Sequence, residues 1–161
     1  MALPFTPKPG EILMCAFAPV GAPHVHNGEM VKTRPVIVVS RDLPGRGKAV
    51  TVVPVSMTQP NPIQAYHVEV DVGCFPPPLR AKAGIRWAIC DQVCTVSRDR
   101  LDMIQGPHVG GKKQFLKGRV HMPILMDIRR AVAHVLKIDC ALLGCPDVAI
   151  QVSNSVAVVT A

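Results

Sequence analysis

The sequence lacks the marks of several protein classes. No apolar run approaches the ~18 residues of a membrane span; stretches such as Val36–Val39 and Ala49–Val55 are strand-sized. Segment 12–22 ends in small residues as a signal core would, but it follows Pro7, Pro9 and Glu11 rather than a basic start, and so reads as a strand. Aromatic residues make up only 4%, which weighs against a module that stacks bases on exposed rings. The common phosphate, zinc-protease, hydrolase and dinucleotide signatures (GxxxxGK[ST], HExxH, GxSxG, GxGxxG) are absent. No CxxC occurs among cysteines 15, 74, 90, 94, 140 and 145. Cys90 and Cys94 lie in what reads as extended chain, roughly 13 Å apart, too far to share one metal ion without a turn. His24 and His26 have no such motif beside them. The expectation is therefore free thiols in a reducing cytoplasm, with no metal centre and no membrane association. Acidic residues are also scarce, 11 Asp+Glu against 18 Lys+Arg, for a net charge of +7.

What is present describes one globular domain. The chain has 161 residues, 48% hydrophobic and 18% charged, enough to bury a single core. The basic surplus is uneven: residues 1–80 hold 7 Lys+Arg and 5 Asp+Glu, residues 81–161 hold 11 and 6. Such a surplus suits a polyanion, and on charge alone it suits a solubility role equally well.

Sixteen prolines and twelve glycines divide the first two-thirds into strand-length pieces. Strands are predicted over 11–18, from Arg34 through Val39, over Ala49–Val55, over Tyr66–Val72, and once or twice within Gly84–Val96. Val36–Val39 is too apolar to own a solvent face and reads as a central strand. Residues 106–119 read as a Gly/Lys-rich hairpin or loop. Pro123 opens a helix over 123–137, with Ile124, Leu125, Ile128, Val132, Val135 and Leu136 on one face. The fold class is mainly β: a small antiparallel, Src-homology-like barrel of five to seven strands closed by a C-terminal helix. The domain covers 1–145, and the 146–161 tail adds an edge strand or stays loose.

The residues able to carry chemistry are scattered over loops: Glu29, Lys32, Arg34, Ser56, Thr58, His67, Asp91 and Gln92. Taken singly they have bland readings. Arg34 pairs with Glu29 in a surface salt bridge worth ~0–1 kcal/mol, Ser56 ends a strand, and Asp91 and Gln92 hold a turn. Lys112, Lys113, Lys117 and Arg119 are either a solvated run or a track for a phosphate backbone.

In order along the chain, however, these segments resemble the PemK/MazF toxins. Pro9-Gly10-Glu11-Ile12-Leu13 is similar to the family's opening strand. Glu29 through Ser40 is similar to its acidic residue, four spacers, Arg-Pro and buried apolar run. Val53-Pro54-Val55-Ser56-Met57-Thr58 resembles its third strand, and Tyr66–Val70 and Asp91-Gln92-Val93 match two further landmarks. The resemblance covers residues 7–137.

It implies a barrel-plus-helix homodimer, the toxin half of a toxin–antitoxin pair. It further implies cleavage of single-stranded mRNA by the substrate's own 2′-hydroxyl, without metal or other cofactor, in the cytoplasm. Glu29 then maps to the general base, Arg34 to the residue that forks onto phosphate oxygens, and Ser56 to a hydroxyl donor. Lys32, Thr58, His67, Lys112 and Lys113 are the expected RNA-binding side chains. The partners expected are RNA, a cognate acidic antitoxin, a second copy of the chain, and operator DNA through the antitoxin. Two other classes stay open: a barrel that binds nucleic acid or an acidic protein without cutting, and a toxin of similar fold directed at gyrase.

Overall fold

The structure is a computed structural model that describes residues 3, 5–17, 30–41, 45, 47–80 and 84–138. Its order is β1 Glu11–Cys15, β2 Arg34–Val38, β3 Ala49–Ser56, β4 His67–Val70, α1 Pro77–Arg80, β5 Arg86–Ile89, β6 Cys94–Ser97, β7 Leu101–Asp102, β8 Ile104–Val109, β9 Lys112–Leu116, β10 Gly118–Arg119 and α2 Met122–Val135. Short 3₁₀ turns lie at Val72–Cys74, Cys90–Gln92 and Arg98–Arg100.

All pairings are antiparallel, in the order β10-β1-β2-β3-β5-β4, with β6 beside β3 and β7 beside β1. The eight-residue β3 organises the sheet. Its first half, Ala49–Val52, pairs with β6, while Val55 and Ser56 pair with β5. One strand thus feeds two differently directed halves, as a small barrel requires.

The apolar run of β2 has the reason the sequence suggested. Flanked by β1 and β3, it is buried on both faces. Ile37 joins Ile12, Val53 and Val55 in one cluster, which α2 covers through Leu125, Ile128 and Ala131. Val36 and Val38 join Leu13, Cys15, Val50 and Val52 in a second cluster on the other face. Full burial of each such side chain is worth ~1.5–3 kcal/mol. Helix α2 is further tied to the sheet by Arg129, whose Nε and Nη2 both donate to the Val39 carbonyl at 3.1 and 2.8 Å.

Several details differ from the sequence expectation. There are ten strands among the described residues, because two-residue pieces (β7, β10) pair with β1. The hairpin or loop expected over 106–119 is, by contrast, present as the hairpin β8–β9, which forms a sheet of its own. Cys90 and Cys94 are separated by a 3₁₀ turn rather than by extended chain. The helix face ends one turn early: Leu136 is 57% exposed, and Ala131 takes a core position instead. Arg86 is 1% exposed, an uncommon place for a guanidinium; its Nη1 and Nη2 donate to the Gly84 and Leu79 carbonyls at 3.0 and 2.8 Å. Gly118 is required by close approach, since a Cβ there would sit 2.8 Å from Pro76 Cδ and 3.0 Å from the Cys74 carbonyl. No helix among the described residues is long and apolar enough to cross a membrane. Glu29, His24, His26 and the 146–161 tail lie outside the described residues.

Candidate active site

Four neighbouring strands contribute to one cleft: Arg34 from the start of β2, Ser56 from the end of β3, His67 from the start of β4 and Ile89 from the end of β5. Across the sheet Ser56 lies opposite Trp87, and His67 opposite Ile89. A cleft of about 490 Å³ opens there, within the size range of small-molecule and cofactor sites. Lys32, Arg34, Ser56, Thr58 and His67 line it, joined by Gln59, Asp91 and Gln92 and by apolar walls from Met30, Val31, Pro60 and Ile89.

Arg34 enters at the first position of β2, next to Pro35, whose burial fixes the strand's entry into the core. Its side chain is half-buried, and its Nε is buried without a hydrogen-bond partner. A buried donor left unsatisfied costs about 1–3 kcal/mol. A ligand oxygen placed at that nitrogen would remove the penalty, so the group is predisposed to bind an oxyanion. Lys32, two residues earlier and exposed, adds a second positive charge.

Ser56 ends β3 in a local turn. Its Oγ donates to the Thr58 carbonyl at 2.8 Å and accepts from the Thr58 amide at 3.1 Å. The hydroxyl is thus engaged in the turn that presents Thr58. To donate to a bound oxyanion, it must exchange its bond to the Thr58 carbonyl.

His67 is oriented by a reciprocal pair of bonds. Its amide donates to the Gln64 carbonyl at 2.9 Å, and the Gln64 amide donates to its Nδ1 at 3.0 Å. An amide can only donate, so Nδ1 carries the lone pair and the neutral ring holds its proton on Nε2. The Tyr66 ring meets the imidazole edge-on at a centroid distance of 4.6 Å. His67 is therefore a half-buried cleft residue with a fixed tautomer.

Asp91 and Gln92 do sit in a turn, as the sequence suggested, but that 3₁₀ turn forms a wall of the cleft. Asp91 supplies the carboxylate of the described lining. The sequence signal was the Asp-Gln-Val landmark itself, which a turn reading undervalues. Lys112 and Lys113 are not brought to the cleft; both are exposed on β9.

Two buried thiols, Cys90 and Cys15, are held in the unreactive neutral form. Burial, reinforced by the neighbouring Asp91 charge, pushes Cys90 up to about 12. Burial, with Cys94 next in effect, pushes Cys15 up to about 12. Both stay protonated near neutral pH.

A small, mainly β protein with a cationic cleft at one rim of its sheet is the class that fold and site define. Residues 8–136 match the family model of the PemK-like, MazF-like toxin of type II toxin–antitoxin systems. The chain is 33% identical over 147 residues to the Escherichia coli (strain K12) protein YifN, covering 82% of this chain and 93% of that one. Its fold is similar to that of MazF from Deinococcus radiodurans (TM-score 0.56, 16% identity, 83% of this chain and 98% of that one). It is also similar to a mycobacterial endoribonuclease solved in complex with its cognate antitoxin (TM-score 0.52, 18% identity, 83% and 98%). The chain belongs to the PemK-like, MazF-like toxin family of type II toxin–antitoxin systems.

Proposed function

We propose that the protein is a metal-independent endoribonuclease that cuts single-stranded mRNA in the cytoplasm, using the 2′-hydroxyl of the substrate as nucleophile. The observation that carries this reading is the convergence of Arg34, with its orphaned Nε, with Lys32, Thr58, His67 and Asp91 on one cleft. The 2′-oxygen attacks phosphorus, its proton passes to a carboxylate, the bond to the 5′-oxygen breaks, and that oxygen takes a proton. The products are a 2′,3′-cyclic phosphate and a 5′-hydroxyl. Because the nucleophile is already attached to the substrate, positioning and charge stabilisation supply most of the rate. Arg34 forks onto the non-bridging oxygens as negative charge builds. The Nε2–H of His67 donates a hydrogen bond that stabilises the leaving oxygen, which takes its proton from water. Family resemblance assigns the base to Glu29, and the cleft itself offers Asp91.

The same cations would attract an acidic antitoxin segment that folds as it binds, with its carboxylates occupying the phosphate positions. The mycobacterial endoribonuclease solved in complex with its cognate antitoxin supports such a partner. Inhibition would then be competitive with RNA and weaken as salt rises.

An RNA strand and an all-deoxy strand of the same sequence, each incubated with purified protein, test the reading. Cleavage of the RNA alone is expected. Cutting of both strands would remove the 2′-hydroxyl from the reaction. Binding of RNA without cutting would favour a non-catalytic barrel.

A further inference from the structure

We propose that the β8–β9 hairpin is a second RNA-contact surface, separate from the cleft. Its outward face sets Phe115 beside Lys113, with Lys117 just beyond the strand end, as a platform for single-stranded RNA. The proposal rests on the RNA-cleaving reading above.

The pleat sorts the hairpin residues. Ile104, 2% exposed, pairs with Leu116, so this pair turns toward the body of the protein. Leu116 lies so close over Gly106 that a Cβ there would meet it at 3.0 Å. Side chains alternate along a strand, so Phe115 and Lys113 share the opposite face. Their cross-strand partners are Gln105 and His108, respectively. An irregularity between Gln105 and His108 adds one residue and keeps both on that outward face. Lys112 falls on the other face with Leu116.

Phe115 is 48% exposed. The other five aromatic residues are not: Phe75 and Trp87 are buried, and Phe5, Phe17 and Tyr66 are packed against the two core clusters. The charged residues of the segment that carries the ring are all basic. From Met103 to Met126 there is no Asp or Glu, while Lys112, Lys113, Lys117 and Arg119 lie within that span. None of the three lysines has a carboxylate partner among the described residues.

An exposed ring alternating with unpaired cations matches a nucleotide strand, which alternates flat bases with phosphates. A single strand is required, because the bases of a duplex are already stacked. An acidic peptide would satisfy the lysines but would leave the ring without a stacking partner.

Fluorescence anisotropy with the full chain and a labelled all-deoxy 12-mer, which lacks the 2′-hydroxyl and cannot be cut by the route above, tests this. Phe115→Ala should weaken binding about 10-fold, within the range for one base stacked on an aromatic ring, and Phe115→Trp should bind as well as wild type. The Lys113→Ala/Lys117→Ala pair should lower the slope of log affinity against log salt by about 1.4, the value for two phosphates of a single strand. Lys113→Ala should weaken binding at least threefold more than Lys112→Ala. The proposal is overturned if the wild type does not bind the strand, if Phe115→Ala binds within twofold of wild type, or if the two lysine variants behave alike. It is also overturned if Phe115→Ala weakens poly-glutamate binding as much as strand binding, which would mark a protein-docking face. A wild type that binds but does not cleave RNA refutes the cleft reading and leaves these binding arms to decide the hairpin by themselves.

Discussion

Arg34 can be separated from the fold and from simple charge by two substitutions. Its Nε is buried without a partner, so the free protein carries a penalty of about 1–3 kcal/mol that ligand oxygens relieve. Arg34→Ala removes that donor together with the fork. Loss of one preorganised oxyanion donor typically lowers the rate 10²–10³-fold, and the loss of a full guanidinium should reach at least that. Stability should hold or rise slightly, because an unsatisfied buried group disappears while Pro35–Val38 keep their burial. Arg34→Lys restores a charge but not planar two-point contact, so it should recover no more than about 10-fold, roughly 1.4 kcal/mol. Single-turnover cleavage of a fluorogenic RNA, with a thermal melt for each variant, measures both effects. A Lys variant within threefold of wild type would refute the two-point role. A large fall in melting temperature for Arg34→Ala would show that the side chain serves the fold.

The identity of the base is decided by two isosteric changes: Asp91→Asn and Glu29→Gln should differ by at least 10² in cleavage rate, with the slower variant naming the base. Arg129→Met leaves the Val39 carbonyl without the helix donors that now reach it. It should destabilise the protein by about 1–3 kcal/mol, read as a melting temperature lower by at least ~2 °C, with little change in cleavage by the protein that remains folded. Alkaline pH should also unfold the chain. Cys15 and Cys90 stand at about 12 against an ordinary 9.0, so the native state keeps protons that the unfolded chain releases. Their contribution is complete below pH 9 and falls by ~1.4 kcal/mol per pH unit per thiol up to about pH 12. Denaturant titrations at pH 8 and pH 10 check this, and a Cys15→Ala/Cys90→Ala pair should flatten the decline.

The central strand, the helix and the cleft's cationic side were legible in the sequence because each depends on local pattern. Val36–Val39 has no polar alternation, and a strand of that kind must be covered on both sides. Lys32, Arg34, Ser56, Thr58 and His67 were readable as a group through ordered family landmarks, and the structure gathers all five. What the sequence hid depends on distant partners. β7 and β10 are two-residue strands that exist only because β1 offers an open edge. Arg86 looks misplaced in a strand until the Gly84 and Leu79 carbonyls are seen to receive it. Asp91 and Gln92 were read as a turn, which they form; that the turn walls the cleft lined by Arg34, Ser56 and His67 is a matter of topology. The lysines of 112–117 looked like one charge run, whereas the hairpin distributes them over two faces.

The most direct test of the account is the chemistry of the RNA ends. The purified protein is incubated with a single-stranded RNA in EDTA, and the fragments are identified by mass spectrometry. The account predicts cleavage, with a 2′,3′-cyclic phosphate on one fragment and a 5′-hydroxyl on the other. Fragments with 5′-phosphate and 3′-hydroxyl ends, or cleavage that occurs only after a divalent ion is restored, would contradict it.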